Sequence, residues 1–210
     1  LSPAGRLQGL YAIIDPAATA DPRGLTRAVL RGGARVVQLR DKAGPAVSTY
    51  QLAQALGELC RQAGAVFIIN DRLDIALAAE ADGVHLGQQD LPLSAARVLV
   101  GERLILGCST NTVAEALQAE REGADYLGVG SIFPTTSKTD TRPAGLARLA
   151  EIRAAVRLPL AAIGGITLEN APAVIAAGAD MVAVIRALAE SDDPETTARR
   201  FAALFAARER

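Results

Sequence analysis

The stretch Gly123-Ala124-Asp125-Tyr126-Leu127-Gly128-Val129 sets the pattern from which the fold is read. A glycine closes an amphipathic segment, a small residue follows, and a short apolar run begins. The same sequence of events recurs at Gly33-Ala34 before Val36-Val37-Gln38-Leu39 and at Gly64-Ala65 before Val66-Phe67-Ile68-Ile69. It returns at Gly178-Ala179-Asp180 before Met181-Val182-Ala183-Val184. A glycine at such a point ends a helix by taking a left-handed conformation, and the chain then turns into a strand. The four glycines are 31, 59 and 55 residues apart, a spacing that suits one helix-plus-strand unit followed by two pairs of them.

Further apolar runs fill the gaps: 10–14, 83–86, 104–107 and 158–163. That makes eight expected strands, and their continuous apolar character fits parallel strands covered by helices. Helical patterns lie between them, at Tyr50–Arg61, at Glu115–Arg121 with Thr112 and Glu115 as a capping box, and at Pro194–Arg208. Eight such units in 210 residues predict an α/β chain forming one (β/α)₈ barrel across 1–210. An open doubly wound sheet is the alternative, but no Gly-x-Gly-x-x-Gly follows the first run.

Composition narrows the function. Net charge is −1 and there are seven aromatic residues, which gives no basic or base-stacking surface for nucleic acid. No apolar run approaches the 18 residues of a membrane span, and Cys60 and Cys108 lack zinc or disulfide-scaffold spacing. The expectation is a cytoplasmic protein. A chain that opens on Leu1 is expected to lack its native start or to be renumbered from it. Among the 22 basic residues, only Lys42 and Lys138 are lysine, and His85 is the sole histidine.

In a (β/α)₈ barrel the chemistry sits where strands run out into loops. The exits carry Gln38-Leu39-Arg40-Asp41-Lys42, Asn70-Asp71-Arg72, Gly87-Gln88-Gln89-Asp90 and Cys108-Ser109-Thr110-Asn111. Later exits carry Ser131 to Lys138, Gly164-Gly165 and Ile185-Arg186. Arg40, Lys42 and Lys138 suit anionic oxygens, the arginine as a planar fork and the lysines as point charges. A Schiff-base lysine or a plain surface role are the alternatives. Asp71 and Asp90 leave successive strands and could share a Mg²⁺, which takes one or two carboxylates with waters and substrate phosphate. They could equally be turn or capping residues. Thr135, Ser137 and Gly164-Gly165 suit a second phosphate. His85 alternates with apolar neighbours and is either a core or a working histidine.

Taken in order, Tyr11-Ala-Ile-Ile-Asp15, Gln38-Leu-Arg-Asp-Lys42, Asn70-Asp-Arg72, Gly83-Val-His-Leu-Gly-Gln-Gln-Asp90, Pro134-Thr-Thr-Ser-Lys138 and Ile163-Gly-Gly-Ile-Thr167 resemble the thiamine-phosphate synthase family over nearly the whole chain. The resemblance implies a transferase of thiamine biosynthesis. It would join a hydroxymethylpyrimidine diphosphate to a thiazole phosphate, releasing pyrophosphate in a dissociative substitution without a protein nucleophile. It implies that Gln38, Arg40, Lys42, Asn70, Ser109 and Lys138 hold the pyrimidine diphosphate, with Arg40, Lys42 and Lys138 as the catalytic cations. Asp71 and Asp90 would hold Mg²⁺, and Thr135, Ser137, Gly165, Ile185 and Arg186 the thiazole phosphate; His85 is placed with the substrate-binding set. Three positions depart from the family's habit. Arg186 stands where serine is common, Ser137 replaces threonine, and Ser131 stands where synthases often have proline and related thiazole tautomerases a histidine. A tautomerase and a non-catalytic phosphate-binding barrel are therefore the rival readings; oligomeric state is not encoded in these motifs.

Overall fold

The computed structural model describes residues 6–134 and 145–206. Eight parallel strands close into a barrel in sequence order. They are β1 (Gly9–Ile14), β2 (Val36–Leu39), β3 (Val66–Asn70), β4 (Gly83–Leu86), β5 (Ile105–Thr110), β6 (Tyr126–Gly130), β7 (Leu160–Ile163) and β8 (Met181–Val184). The helices are α1 (Pro22–Arg31), α2 (Ala46–Ala63), α3 (Leu73–Ala78), α4 (Leu93–Val100), α5 (Val113–Arg121), α6 (Gly145–Ala155), α7 (Ala171–Ala176), α8 (Arg186–Ala189) and α9 (Pro194–Ala206). The ring closes where β1 pairs with β8, Gly9 opposite Met181. No helix among the described residues is long and apolar enough to cross a membrane.

The expected turns form as read. Gly33, Gly64, Gly123 and Gly178 all have positive φ, from 68° to 107°, a region glycine enters without a Cβ penalty. Thr112 caps α5 by accepting from the Glu115 N–H at 3.2 Å. The Glu115 carboxylate, however, takes the N–H of Asn111 at 2.6 Å rather than that of the cap residue itself. The helix read at Tyr50–Arg61 extends to Ala46–Ala63, and two strand boundaries move by two residues or more. β5 runs on through Cys108, Ser109 and Thr110, which places Ser109 within the strand rather than in the loop. β7 starts at Leu160, after Pro159.

Alternation along each strand sorts side chains into two cores. Leu10, Ala12 and Ile14 face the helices, with Val37, Leu39, Phe67 and Ile69, in the larger cluster. Tyr11, Ile13, Val36, Val66, Ile68, Ile105, Tyr126 and Met181 fill the barrel interior.

At the opposite end from the loops already singled out, the barrel is stitched in pairs. Asp82 donates its N–H to the Phe67 carbonyl and accepts the Phe67 N–H on Oδ2 at 2.8 Å. Asp125 does the same to Leu106, at 2.7 Å, and Asp180 to Leu160, at 2.9 Å. Arg97 and Arg153 brace Asp125 and Asp180 at 2.6 and 3.0 Å. Each aspartate stands just before an even-numbered strand and clasps the odd-numbered strand preceding it. The corresponding residue before β2 is Arg35, whose N–H bonds the Leu10 carbonyl at 3.3 Å but which has no carboxylate to return the Leu10 N–H.

Candidate active site

The loop end of the barrel divides into a charged half and a glycine-lined half. In the charged half, Arg40 follows β2 and its Nη1 donates to Asp15 at 2.5 Å. Asp15 also accepts the Ala17 N–H at 2.9 Å, so a turn after β1 fixes the carboxylate that aims the guanidinium. One of five guanidinium N–H groups is used by Asp15, and the fork retains donors for an anion. Lys42 contacts the carboxylate of Asp71 through Nζ.

Asp71 sits at the end of β3 with φ 62°, a left-handed conformation that is uncommon outside glycine and that aspartate tolerates. Its N–H donates to the carbonyl of His85 on β4 at 2.8 Å, which pins the turn. Asp90 turns back to accept the Gly87 N–H at 2.7 Å. Neither aspartate caps the next helix: Arg72 precedes α3 and Pro92 precedes α4, both without a side-chain cap. Burial pushes the Asp90 carboxyl above the ordinary carboxylate range. The Asp71 carboxylate beside it pushes the same way, against the Gly87 N–H and the Lys42 charge. Two carboxylates brought together in this way suit a divalent cation. Among the described residues no cluster of three or more His, Cys, Asp or Glu is placed to hold a metal. Two carboxylates remain within the habit of Mg²⁺, which completes its shell with water and substrate oxygens.

The second half is a cavity of about 420 Å³ bordered by the exits of β6, β7 and β8, with Gly130, Ser131, Gly164, Gly165, Ile185 and Arg186 on its wall. Its size is in the range of small-molecule sites. Gly164 and Gly165 have φ 103° and 63°. A Cβ at Gly164 would lie 2.3 Å from Ser131 Oγ, and one at Gly165 2.6 Å from the Pro134 carbonyl. The double glycine is therefore a close approach of two loops, tied by Phe133 N–H to the Gly164 carbonyl at 3.0 Å. Arg186 lies on the wall and pairs with Glu190 at 3.2 Å. Ser131 follows a cis Gly130–Ser131 peptide and donates its hydroxyl to Phe133 at 2.5 Å.

A smaller cavity opens into the barrel centre, lined by Gln38, Arg40, Asn70, His85 and Ser109 among others. Arg40 borders both it and the larger one. The structure thus brings Gln38, Arg40, Asn70, His85 and Ser109 around one space, with Lys42, Asp71 and Asp90 at the adjoining exits. It places Gly165, Ile185 and Arg186 around the other. Thr135, Ser137 and Lys138 lie outside the described residues. Asp15, Tyr11 and Tyr126 were not singled out for a role in the sequence. Their inward alternation on, or just beyond, a strand was the available signal.

A model of the thiamine monophosphate synthase family matches residues 10–188. The chain belongs to that family. It is 57% identical over 177 residues to the thiamine-phosphate synthase of Moorella thermoacetica, covering 84% of each chain. It is 52% identical over 200 residues to that of Methanospirillum hungatei, covering 94% of this chain and 97% of the relative. The thiamine phosphate pyrophosphorylase structure from Pyrococcus furiosus superposes with a TM-score of 0.89 at 37% identity, over 96% and 98% of the two chains. Family membership accounts for the one (β/α)₈ barrel and its transferase chemistry.

Proposed function

We propose that the mouth of this barrel joins a pyrimidine-methyl diphosphate to a thiazole phosphate, giving thiamine phosphate and pyrophosphate. The observation that carries the residue-level reading is the division of the mouth. Cations and paired carboxylates sit on one side, a glycine-lined cavity on the other, and Arg40 borders both. Arg40 and Lys42 bind the diphosphate, with Lys138 as the third cation. Asp15 keeps the Arg40 fork oriented, so little conformational freedom is lost when an anion arrives. Gln38, Asn70 and Ser109 hold the pyrimidine end, beside His85. Gly165, Ile185 and Arg186, with Thr135 and Ser137, hold the thiazole phosphate.

Asp71 and Asp90 would hold Mg²⁺. Bound there, the ion would neutralise part of the diphosphate charge and so make it a better leaving group. The carbon–oxygen bond to the diphosphate breaks, and the thiazole nitrogen takes the carbon. Both substrates must be held in line while water is kept out, which is positioning and electrostatics rather than covalent catalysis. Neither cysteine competes for a nucleophilic role. Burial pushes the Cys60 and Cys108 thiols up to about 12 and about 11. Phosphorylated substrates support a cytoplasmic location.

The test is direct. Incubated with both phosphorylated substrates, the protein should form thiamine phosphate and pyrophosphate with Mg²⁺ present and lose that activity when the metal is chelated. No product under any condition rejects the reading. A change in the thiazole alone would favour the tautomerase, for which Ser131 supplies no imidazole.

A further inference from the structure

A line of hydrogen bonds crosses the barrel interior beneath the charged half. Gln38 Nε2 donates to Tyr11 Oη at 2.6 Å. Tyr11 Oη is 2.8 Å from Tyr126 Oη, which is 2.9 Å from His85 Nδ1. His85 Nε2 is 2.9 Å from Ser109 Oγ. Viewed alone, the last pair resembles a serine nucleophile with its histidine base.

Counting hydrogens decides otherwise. Tyr11 accepts from Gln38, so its own hydrogen must go to Tyr126, since burying a hydroxyl without an acceptor forfeits its hydrogen bond to water with nothing in return. Tyr126 accepts from Tyr11 and must donate onward to His85 Nδ1. Burial pushes both phenols well up from their ordinary value, so each keeps its hydrogen. Nδ1 is then an acceptor, and the imidazole hydrogen sits on Nε2, where it donates to Ser109 Oγ. Ser109 Oγ then accepts from Nε2 with one of its two lone pairs and keeps its own hydrogen for the ligand. The reverse polarity requires the Gln38 amide to turn over and present Oε1 to Tyr11.

We infer that Tyr11 and Tyr126 are positioning residues that set the polarity of the pyrimidine site through His85, making Ser109 a hydrogen-bond donor to the ligand rather than a nucleophile. Gln38, at the other end of the line, commits one of its two N–H groups to Tyr11 and keeps its carbonyl oxygen as an acceptor. The site so built selects a heteroaromatic ring that offers an acceptor nitrogen to Ser109. This inference rests on the proposed function for its ligand, but its hydrogen-bond polarity does not.

Room for the line is built into the strands. A Cβ at Gly107 would lie 2.2 Å from the Tyr126 ring, and one at Gly128 2.9 Å from His85 Cε1. Tyr126 packs edge-on to Tyr11 at 6.1 Å and tilted on His85 at 5.4 Å between ring centres.

Two measurements test it. His85 is the only histidine, so tag-free protein labelled with ¹⁵N-histidine shows one imidazole. The hydrogen is expected on Nε2, with Nδ1 pyridine-like; a hydrogen on Nδ1 overturns the polarity whether or not the protein makes thiamine phosphate. In steady-state kinetics, Tyr126→Phe and Ser109→Ala should each raise KM for the pyrimidine diphosphate by about five- to tenfold, the worth of one hydrogen bond. KM for the thiazole phosphate should stay within about twofold, since neither hydroxyl lies on the wall of the glycine-lined cavity. If Tyr126 acts through Ser109, the double variant is no worse than Ser109→Ala. Additive losses, or equal rises for both substrates, refute the positioning role. Absence of product from the unaltered protein would instead refute the proposed function, leaving the imidazole measurement to stand by itself.

Discussion

Asp71 concentrates three demands in one residue: a left-handed backbone, a contact with Lys42, and a carboxylate beside Asp90. The backbone demand and the charge demand can be separated experimentally, because asparagine tolerates the left-handed region about as well as aspartate. Asp71→Asn should therefore leave the melting temperature nearly unchanged while removing one of the two carboxylates. Activity at fixed Mg²⁺ should fall by about a hundredfold, the scale of losing one charge-stabilising group. Excess Mg²⁺ should restore part of it, as a titration of thiamine phosphate formation would show. A variant that melts early, with unchanged Mg²⁺ dependence, would make Asp71 a turn residue only. Arg186 marks the opposite case. It was the unexpected cation of the second phosphate site, and in the structure it reaches the cavity wall while pairing with Glu190.

Among the elements, the aspartate clasps are the feature that stabilises without touching the site. Asp180→Ala leaves the Leu160 N–H without its acceptor and Arg153 with only the Val156 carbonyl, and should cost about 1–3 kcal/mol. Asp180→Asn keeps an oxygen for Leu160 and should cost less; thermal melts of the two variants, set beside steady-state rates, check both parts. Equal losses in both would mean that the charge pair, not the backbone bond, is what matters. The strands themselves were legible because an apolar run between a glycine and a polar exit has few other uses. The left-handed glycines before them follow from the same grammar. What stayed hidden was β5 continuing to Thr110, since Ser109 and Thr110 look like loop residues until β6 is there to pair with them. The site was legible as residue types at exits, but not as partnerships. Nothing local ties Asp15 to Arg40, and Tyr11 and Tyr126, 115 positions apart, share a hydrogen bond only because the ring closes.

For the molecule as a whole, the core protects both thiols. At pH 8, where an ordinary thiol of pKa near 9 is partly ionised, Cys60 and Cys108 stay protonated, Cys60 mainly through burial and also through the Asp82 charge. Native protein should resist alkylation by iodoacetamide, and both thiols should react once the chain is unfolded in urea. Ready labelling of the native form would contradict their burial. The linkage has a definite sign. Both thiols are raised in the folded state, so the stability they confer is whole below about 9 and is lost as pH rises through about 11 and then about 12. Denaturant midpoints should fall across that range, and substituting both cysteines by alanine should flatten the fall.

The pairing of strands by Asp82, Asp125 and Asp180 gives an eight-membered ring a four-beat rhythm, and one beat is missing. The β1–β2 quarter has Arg35 where the others have aspartate, and it adjoins the β1–β8 seam at which the ring shuts. Thermal breathing should thus begin there, as a bracelet parts beside its fastening. The three clasped quarters, which carry Asp71, Asp90 and the double glycine, stay closed the longest.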